Sequence, residues 1–157
     1  MSEKKKVLMV CLGNICRSPI AEGVFQHITK EKGLSSQWMV DSAAVAGYHI
    51  GKSPDHRALL TMKNQGISYN NKARQVSQKD FETFDFIFGM DEENISDLKG
   101  MANQNPNCKA TIGLLGDYDP EGERIIRDPY YDSGAEGFKK CYQQCLRSCT
   151  AFLEQHS

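Results

Sequence analysis

The chain is 157 residues long and carries 19 Lys and Arg against 20 Asp and Glu, for a formal net charge of −1. That length suits a single domain, spanning 1–157, that can bury a sizeable core, and the near-neutral balance supplies no basic field for nucleic acid. No apolar run approaches the roughly 18 residues of a membrane span, and the N-terminus lacks a secretory core, so a soluble cytoplasmic protein without stable membrane association is expected.

In chain order, Lys4-Lys5-Lys6 reads as a solvated terminus, and Lys6-Val7-Leu8-Met9-Val10 as a short buried strand that delivers Cys11 to a sheet edge. Gly13 and Asn14 tolerate positive φ, so the following loop can curl until its N–H groups converge. Ser18 is a good N-cap and Pro19 suits the first turn, which predicts a helix through Ala21, Val24, Phe25 and Ile28. Further strands are predicted near residues 38–43, 84–90 and 110–115. Between them Ser53-Pro54 should open a helix through Leu59, Leu60 and Met62, Ser77 with Asp80 a short one, and Asp91 another that ends near Met101. Ser133-Gly134-Ala135-Glu136 reads as a capping box before a last helix whose inner face is Phe138, Cys141, Cys145, Cys149 and Phe152.

Alternating strand and helix signals predict an α/β fold. The expected form is a single three-layer sandwich with a central four-stranded parallel sheet, helices on both faces, and a phosphate loop after the first strand. Six cysteines accompany no secretory signal, so reduced thiols are expected. The Cys141, Cys145 and Cys149 series lacks the partners of a zinc site, and no metal or cofactor is expected. Cys108 reads as a buried small side chain. His27, His49, His56 and His156 have no motif partner and are expected at the surface.

The chemistry concentrates in Cys11-Leu12-Gly13-Asn14-Ile15-Cys16-Arg17-Ser18, where a cysteine and an arginine bracket five residues between a strand and a helix start. A dianion there would meet orphan helix N–H groups, the positive end of the dipole and the forked guanidinium of Arg17. Helix N-termini and cationic neighbours favour thiolate over thiol, which makes Cys11 a candidate nucleophile. A nucleotide-binding P-loop would need a Gly-Lys-Ser/Thr end, which is absent. The alternative without chemistry is a buried strand-end thiol beside a solvated arginine.

With Asp128-Pro129-Tyr130-Tyr131 more than a hundred residues downstream, the chain resembles the low-molecular-weight protein tyrosine phosphatases, also called acid phosphatases. The likeness continues through Lys72-Ala73-Arg74-Gln75-Val76, Gly89-Met90-Asp91-Glu92, Leu114-Leu115-Gly116, Tyr118-Asp119-Pro120 and Cys141-Tyr142-Gln143-Gln144-Cys145. The resemblance implies hydrolysis of phosphotyrosine in proteins and of small aryl phosphates through a phosphocysteine, by a monomer, without metal. Cys11 would be the nucleophile, Arg17 the phosphate clamp and Asp128 the general acid and then base. Leu12, Gly13, Asn14, Ile15, Cys16 and Ser18 would form the phosphate loop. It further implies that Asn14 holds the loop's backbone, that Ser18 hydrogen-bonds the Cys11 sulfur, and that the Ser42 hydroxyl supports the loop. Tyr48, Tyr130 and Tyr131 would frame the aromatic ring, and Cys16 could pair reversibly with Cys11 on oxidation.

One position departs from the family. Asn71 stands where better-known members carry a histidine that supports the loop, and asparagine can hydrogen-bond but cannot carry charge. Two other functions share parts of the pattern. Arsenate reductases relay oxidation through further cysteines after the third strand, and Phe84–Gly100 contains none. An inactive phosphotyrosine-binding module would need only the cradle, whereas this chain keeps Cys11, Arg17 and Asp128 together.

Overall fold

The structure is a computed structural model and describes residues 4–156. Its centre is the predicted apolar run. Strand β1, Lys5–Cys11, buries every residue from Val7 to Cys11, with Val7, Met9 and Cys11 on one face and Leu8 and Val10 on the other. A strand apolar on both faces must be covered on both.

Strand β2, Trp38–Ala44, pairs with one edge of β1, and β3, Phe86–Gly89, with the other; β4, Thr111–Leu114, completes the sheet beyond β3. All pairings are parallel, in the order β2-β1-β3-β4. Five helices link and cover the strands: α1, Arg17–Glu31; α2, His56–Asn64; α3, Gln78–Thr83; α4, Glu92–Ala102; and α5, Glu136–Gln155. Helices α1, α2 and α5 pack over Val7 and Met9, while Phe81, Phe84 and Leu98 from the α3–α4 side cover Leu8, Val10 and Ile87. The expected three-layer α/β sandwich is therefore what the chain forms, with all four strands within two residues of their predicted limits. Among the described residues, no helix is long and apolar enough to cross a membrane.

Phe152 of the last helix anchors the larger core, with ring contacts of 5.0–5.4 Å to Phe86, Phe88, Tyr118 and Trp38. The predicted inner face of α5 is buried along its whole length.

The predicted helix starts need correction at three serines. Ser18 is not a cap: α1 begins at Arg17 behind Cys16, and the Ser18 hydroxyl faces the Cys11 sulfur. In α2 the cap is Asp55, which accepts the Arg57 N–H at 2.9 Å, while Ser53 accepts from Lys72 Nζ; Leu60 points outward. Helix α5 starts behind Ala135 with no side-chain cap, so the Ser133 box does not form. Ser77 and Asp91 do start helices, Asp91 accepting the Asn94 N–H at 2.8 Å. Lys5 and Lys6 belong to β1 rather than to a solvated tail, with Lys5 Nζ 5.5 Å from the centre of the Trp38 ring.

Candidate active site

Where β1 ends, the chain turns through Leu12–Cys16 and enters α1, so the first N–H groups of that helix face the carboxyl edge of the sheet. Asn14 makes the turn possible: its φ of 59° is the one positive value at a non-glycine among the described residues. Asparagine tolerates this region better than most residues. Gly13 does not have a positive φ; a Cβ there would lie 2.9 Å from His49 Cδ2, so glycine serves close approach instead.

Behind the turn, a chain of hydrogen bonds fixes the cysteine's surroundings. Asn14 Nδ2 donates to Ser18 Oγ at 2.7 Å and to Ser42 Oγ at 3.0 Å, and Asn14 Oδ1 accepts the Arg74 N–H at 3.1 Å. Ser18 Oγ lies 3.1 Å from Cys11 Sγ, and a Cys11 thiolate, having no proton of its own, would accept the Ser18 hydroxyl proton; the Ser18 N–H points to the same sulfur at 3.4 Å. Ser42 in turn donates to Glu22 Oε1 at 2.5 Å.

Glu22 is a residue that sequence reasoning missed. It is 3 % exposed and also accepts from Tyr69 Oη at 2.6 Å and from Asn71 Nδ2 at 3.2 Å. Burial pushes its carboxyl above the ordinary range, against the pull of the hydrogen bonds from Ser42, Tyr69 and Asn71. Asn71 also donates to Asp41 at 3.1 Å, so the neutral residue at the departing position bridges two carboxylates.

Arg17 is 2 % exposed and lies between two acids. Its Nη1 donates to Asp91 at 2.7 Å and to the Ile126 carbonyl at 3.0 Å, its Nη2 stands 3.6 Å from Asp128, and its buried Nε has no partner among the described residues. The Nε and Nη2 side of the fork thus has no short hydrogen bond, only the long contact to Asp128. Asp91, expected as a helix cap, also holds this arginine.

A small cleft opens above the cysteine, lined by Cys11, Leu12, Gly13, Ile15, Cys16, Tyr48, His49, Asp128, Tyr130 and Tyr131. Of the residues expected at the site, Asn14, Ser18, Ser42 and Asn71 stand behind the loop rather than in the cleft. Asp128 is partly exposed at the rim and accepts the Tyr130 N–H at 3.0 Å. Tyr48 and Tyr131 are exposed flanks, and His49 lines the wall against Tyr130 with ring centres 5.9 Å apart, rather than lying free at the surface. His156 also departs from the surface expectation, packing on Phe152 at 4.3 Å. Cys16 is 3 % exposed, and burial, followed by the nearness of Cys11, pushes its thiol up.

A cysteine sulfur held by two hydrogen-bond donors at a helix N-terminus, beside a buried guanidinium with an open fork, defines a phosphate-directed nucleophile site at the edge of a parallel sheet. The chain belongs to the low molecular weight phosphotyrosine protein phosphatase family, whose model matches residues 6–156. It is 53 % identical over 151 residues to the low molecular weight phosphotyrosine protein phosphatase of Homo sapiens, covering 96 % of this chain and 95 % of the relative. Among solved structures, that of Primo-1 matches with a TM-score of 0.90 at 49 % identity, covering 96 % of this chain and 97 % of the other. A Drosophila protein described as an arginine phosphatase matches with a TM-score of 0.93 at 39 % identity, over 97 % and 98 % of the two chains.

Proposed function

We propose that the chain works as one catalytic domain that hydrolyses phosphotyrosine in proteins, and small aryl phosphates, in two displacements at phosphorus. Cys11 Sγ attacks the phosphorus, the bond to the aryl oxygen breaks, and Asp128 gives that oxygen its proton. Water then attacks the phosphocysteine, Asp128 takes a proton from it, and inorganic phosphate and the Cys11 thiolate are released. Arg17 and the loop amides hold the equatorial oxygens throughout.

The observation that carries this reading is the meeting of Cys11 and Asp128 in one cleft, with the buried Arg17 guanidinium 3.6 Å behind Asp128. Leu12, Ile15, Tyr48, Tyr130 and Tyr131 give the cleft an apolar and aromatic wall, which supports an aryl group over a polar phosphoguanidine. Asp91 and Asp119 are weaker candidates for the acid. Asp91 is engaged by Arg17 and the Asn94 N–H, and Asp119 by both nitrogens of a fork from Arg147, which with the Glu121 N–H holds it below the ordinary carboxylate range against burial. We further propose a monomeric, cytoplasmic protein, silenced reversibly when oxidation joins Cys11 to Cys16.

The test follows the phosphorylation step in single turnovers. A general acid contributes about a hundredfold to ten-thousandfold, and least where the leaving oxygen is already stable as an anion. Asp128→Ala should therefore slow phosphotyrosine cleavage strongly and p-nitrophenyl phosphate far less. Equal losses remove Asp128 from the acid role, and preferred turnover of phosphoarginine would overturn the substrate assignment.

A further inference from the structure

The segment that carries Asp128 has no helix or strand of its own between the 3-10 turn at Leu115–Tyr118 and the start of α5. Arg57, in the first turn of α2, reaches it. Arg57 Nη1 donates to the carbonyls of Asp132 at 2.6 Å and Gly134 at 3.2 Å, and Nη2 donates to the carbonyl of Tyr130 at 2.9 Å. Three carbonyls within five residues, all accepting from one guanidinium, fix the path of the chain just after Asp128.

The guanidinium is itself held from behind. Asp55 takes Nε at 3.1 Å and Nη2 at 2.9 Å in a two-pronged ion pair, and the guanidinium carbon lies 4.5 Å from the centre of the Phe138 ring. Asp55 is tied in turn to the phosphate loop, because its own N–H donates to the Ile15 carbonyl at 2.8 Å. The resulting line runs from Ile15, beside the cysteine, through Asp55 and Arg57 to Tyr130, two residues from the acid. A forked, planar cation is suited to such a bridge, where a lysine could serve only one or two of these acceptors.

We propose that Arg57, with Asp55, is the positioning residue that sets Asp128 and the Tyr130 wall at their working distance from the phosphate loop. Arg57 touches neither substrate nor sulfur in this arrangement. Its effect passes through Asp128, so the inference rests on the reading of Asp128 as the acid. A displacement of about 1 Å in a reacting group can cost up to a hundredfold in rate. Loss of the latch should thus mimic a partial loss of the acid, and the loss should depend on the leaving group.

Arg57→Met keeps the stem and removes the fork. Single-turnover phosphorylation by wild type, Arg57→Met, Asp128→Ala and the double variant is measured with phosphotyrosine and with p-nitrophenyl phosphate. Arg57→Met should slow phosphotyrosine about tenfold and the nitrophenyl ester no more than about twofold, and it should add little further leaving-group dependence to Asp128→Ala. If Asp128→Ala discriminates between the leaving groups while Arg57→Met slows both equally or neither, the latch is refuted and the acid stands. If Asp128→Ala itself fails to discriminate, the acid reading falls first. Should Arg57→Met not fold, Asp55→Asn, which keeps a helix cap but removes the anion behind Arg57, must show the same selective loss in smaller measure, and a uniform loss refutes the proposal.

Discussion

Replacing Ser18 by alanine removes one oxygen that is fully buried and whose hydrogen bond to Cys11 Sγ spans 3.1 Å. Folding should tolerate the change at a cost of about 1–3 kcal/mol, because the buried Asn14 amide loses Ser18 Oγ, the acceptor of one of its two N–H bonds, and keeps only Ser42 Oγ at 3.0 Å. Catalysis should not. A hydrogen bond to a charged group contributes about 1.5–3 kcal/mol, which at about 1.4 kcal/mol per decade is roughly 10- to 150-fold in a rate that depends on it. In the first displacement a thiolate without this bond is less stabilised but more nucleophilic, so the two effects partly cancel. In the second displacement sulfur is the leaving group, and there the loss is felt in full. Ser18→Ala should therefore hydrolyse phosphocysteine slowly while forming it at a comparable rate, and rapid mixing with p-nitrophenyl phosphate should show a burst of nitrophenolate near one equivalent before a slow steady state. An unchanged thermal midpoint with a steady-state kcat within threefold of wild type and no burst would refute the reasoning.

Cys11→Ser should abolish turnover yet fold and still bind phosphate, seen by calorimetry, whereas Arg17→Ala should lose both binding and turnover; near-normal activity in Cys11→Ser would sink the covalent mechanism. Peroxide should inactivate the wild type reversibly through a Cys11–Cys16 disulfide found by mass spectrometry, and Cys16→Ser should recover activity more poorly with thiol; Cys11 found linked elsewhere contradicts this. The Glu22 carboxyl is raised by burial, so the folded protein binds that proton more tightly than the unfolded chain. The stability it contributes is complete below the ordinary glutamate value of about 4.3 and is lost as pH rises through the higher folded value. Glu22→Gln should flatten that part of the curve of urea midpoint against pH; an unaltered curve would exclude Glu22 as its source.

The phosphate loop was legible because its signals are local: an apolar run, a glycine and asparagine at the turn, and an arginine at the helix start all lie within a dozen residues. The capping signals at Ser18, Ser53 and Ser133 misled for one reason. Each serine has the pattern of a cap, but pattern does not fix where the helix begins or what else reaches the hydroxyl: α5 starts behind Ala135, two residues past Ser133, and for Ser18 the competitor is a sulfur seven residues away. Glu22 was invisible because its partners Ser42, Tyr69 and Asn71 lie 20, 47 and 49 residues along the chain. Arg57 was invisible likewise, since its carbonyl acceptors are 73 to 77 residues away. In sequence it is only a charged residue in the first turn of a helix.

The electrostatics of Arg17 explain how a site so deeply buried can be ready for a dianion. Burial alone would pull its guanidinium down, yet Cys11, Asp91 and Asp128 together outweigh burial and hold it above its ordinary value. The two carboxylates are not equivalent. Asp91 sits at 2.7 Å and is fixed again by a helix N–H, while Asp128 sits at 3.6 Å, beyond hydrogen-bond length, on the segment that Arg57 steers. An arriving phosphoryl group would compete for the Nε and Nη2 side of the fork, and the partner it displaces is the long contact rather than the short one. Binding of the substrate in the proposed cycle thus keeps the short Asp91 contact and frees the Asp128 carboxyl from its long one. The same arginine then binds the phosphate and, by exchanging partners, gives up its hold on Asp128.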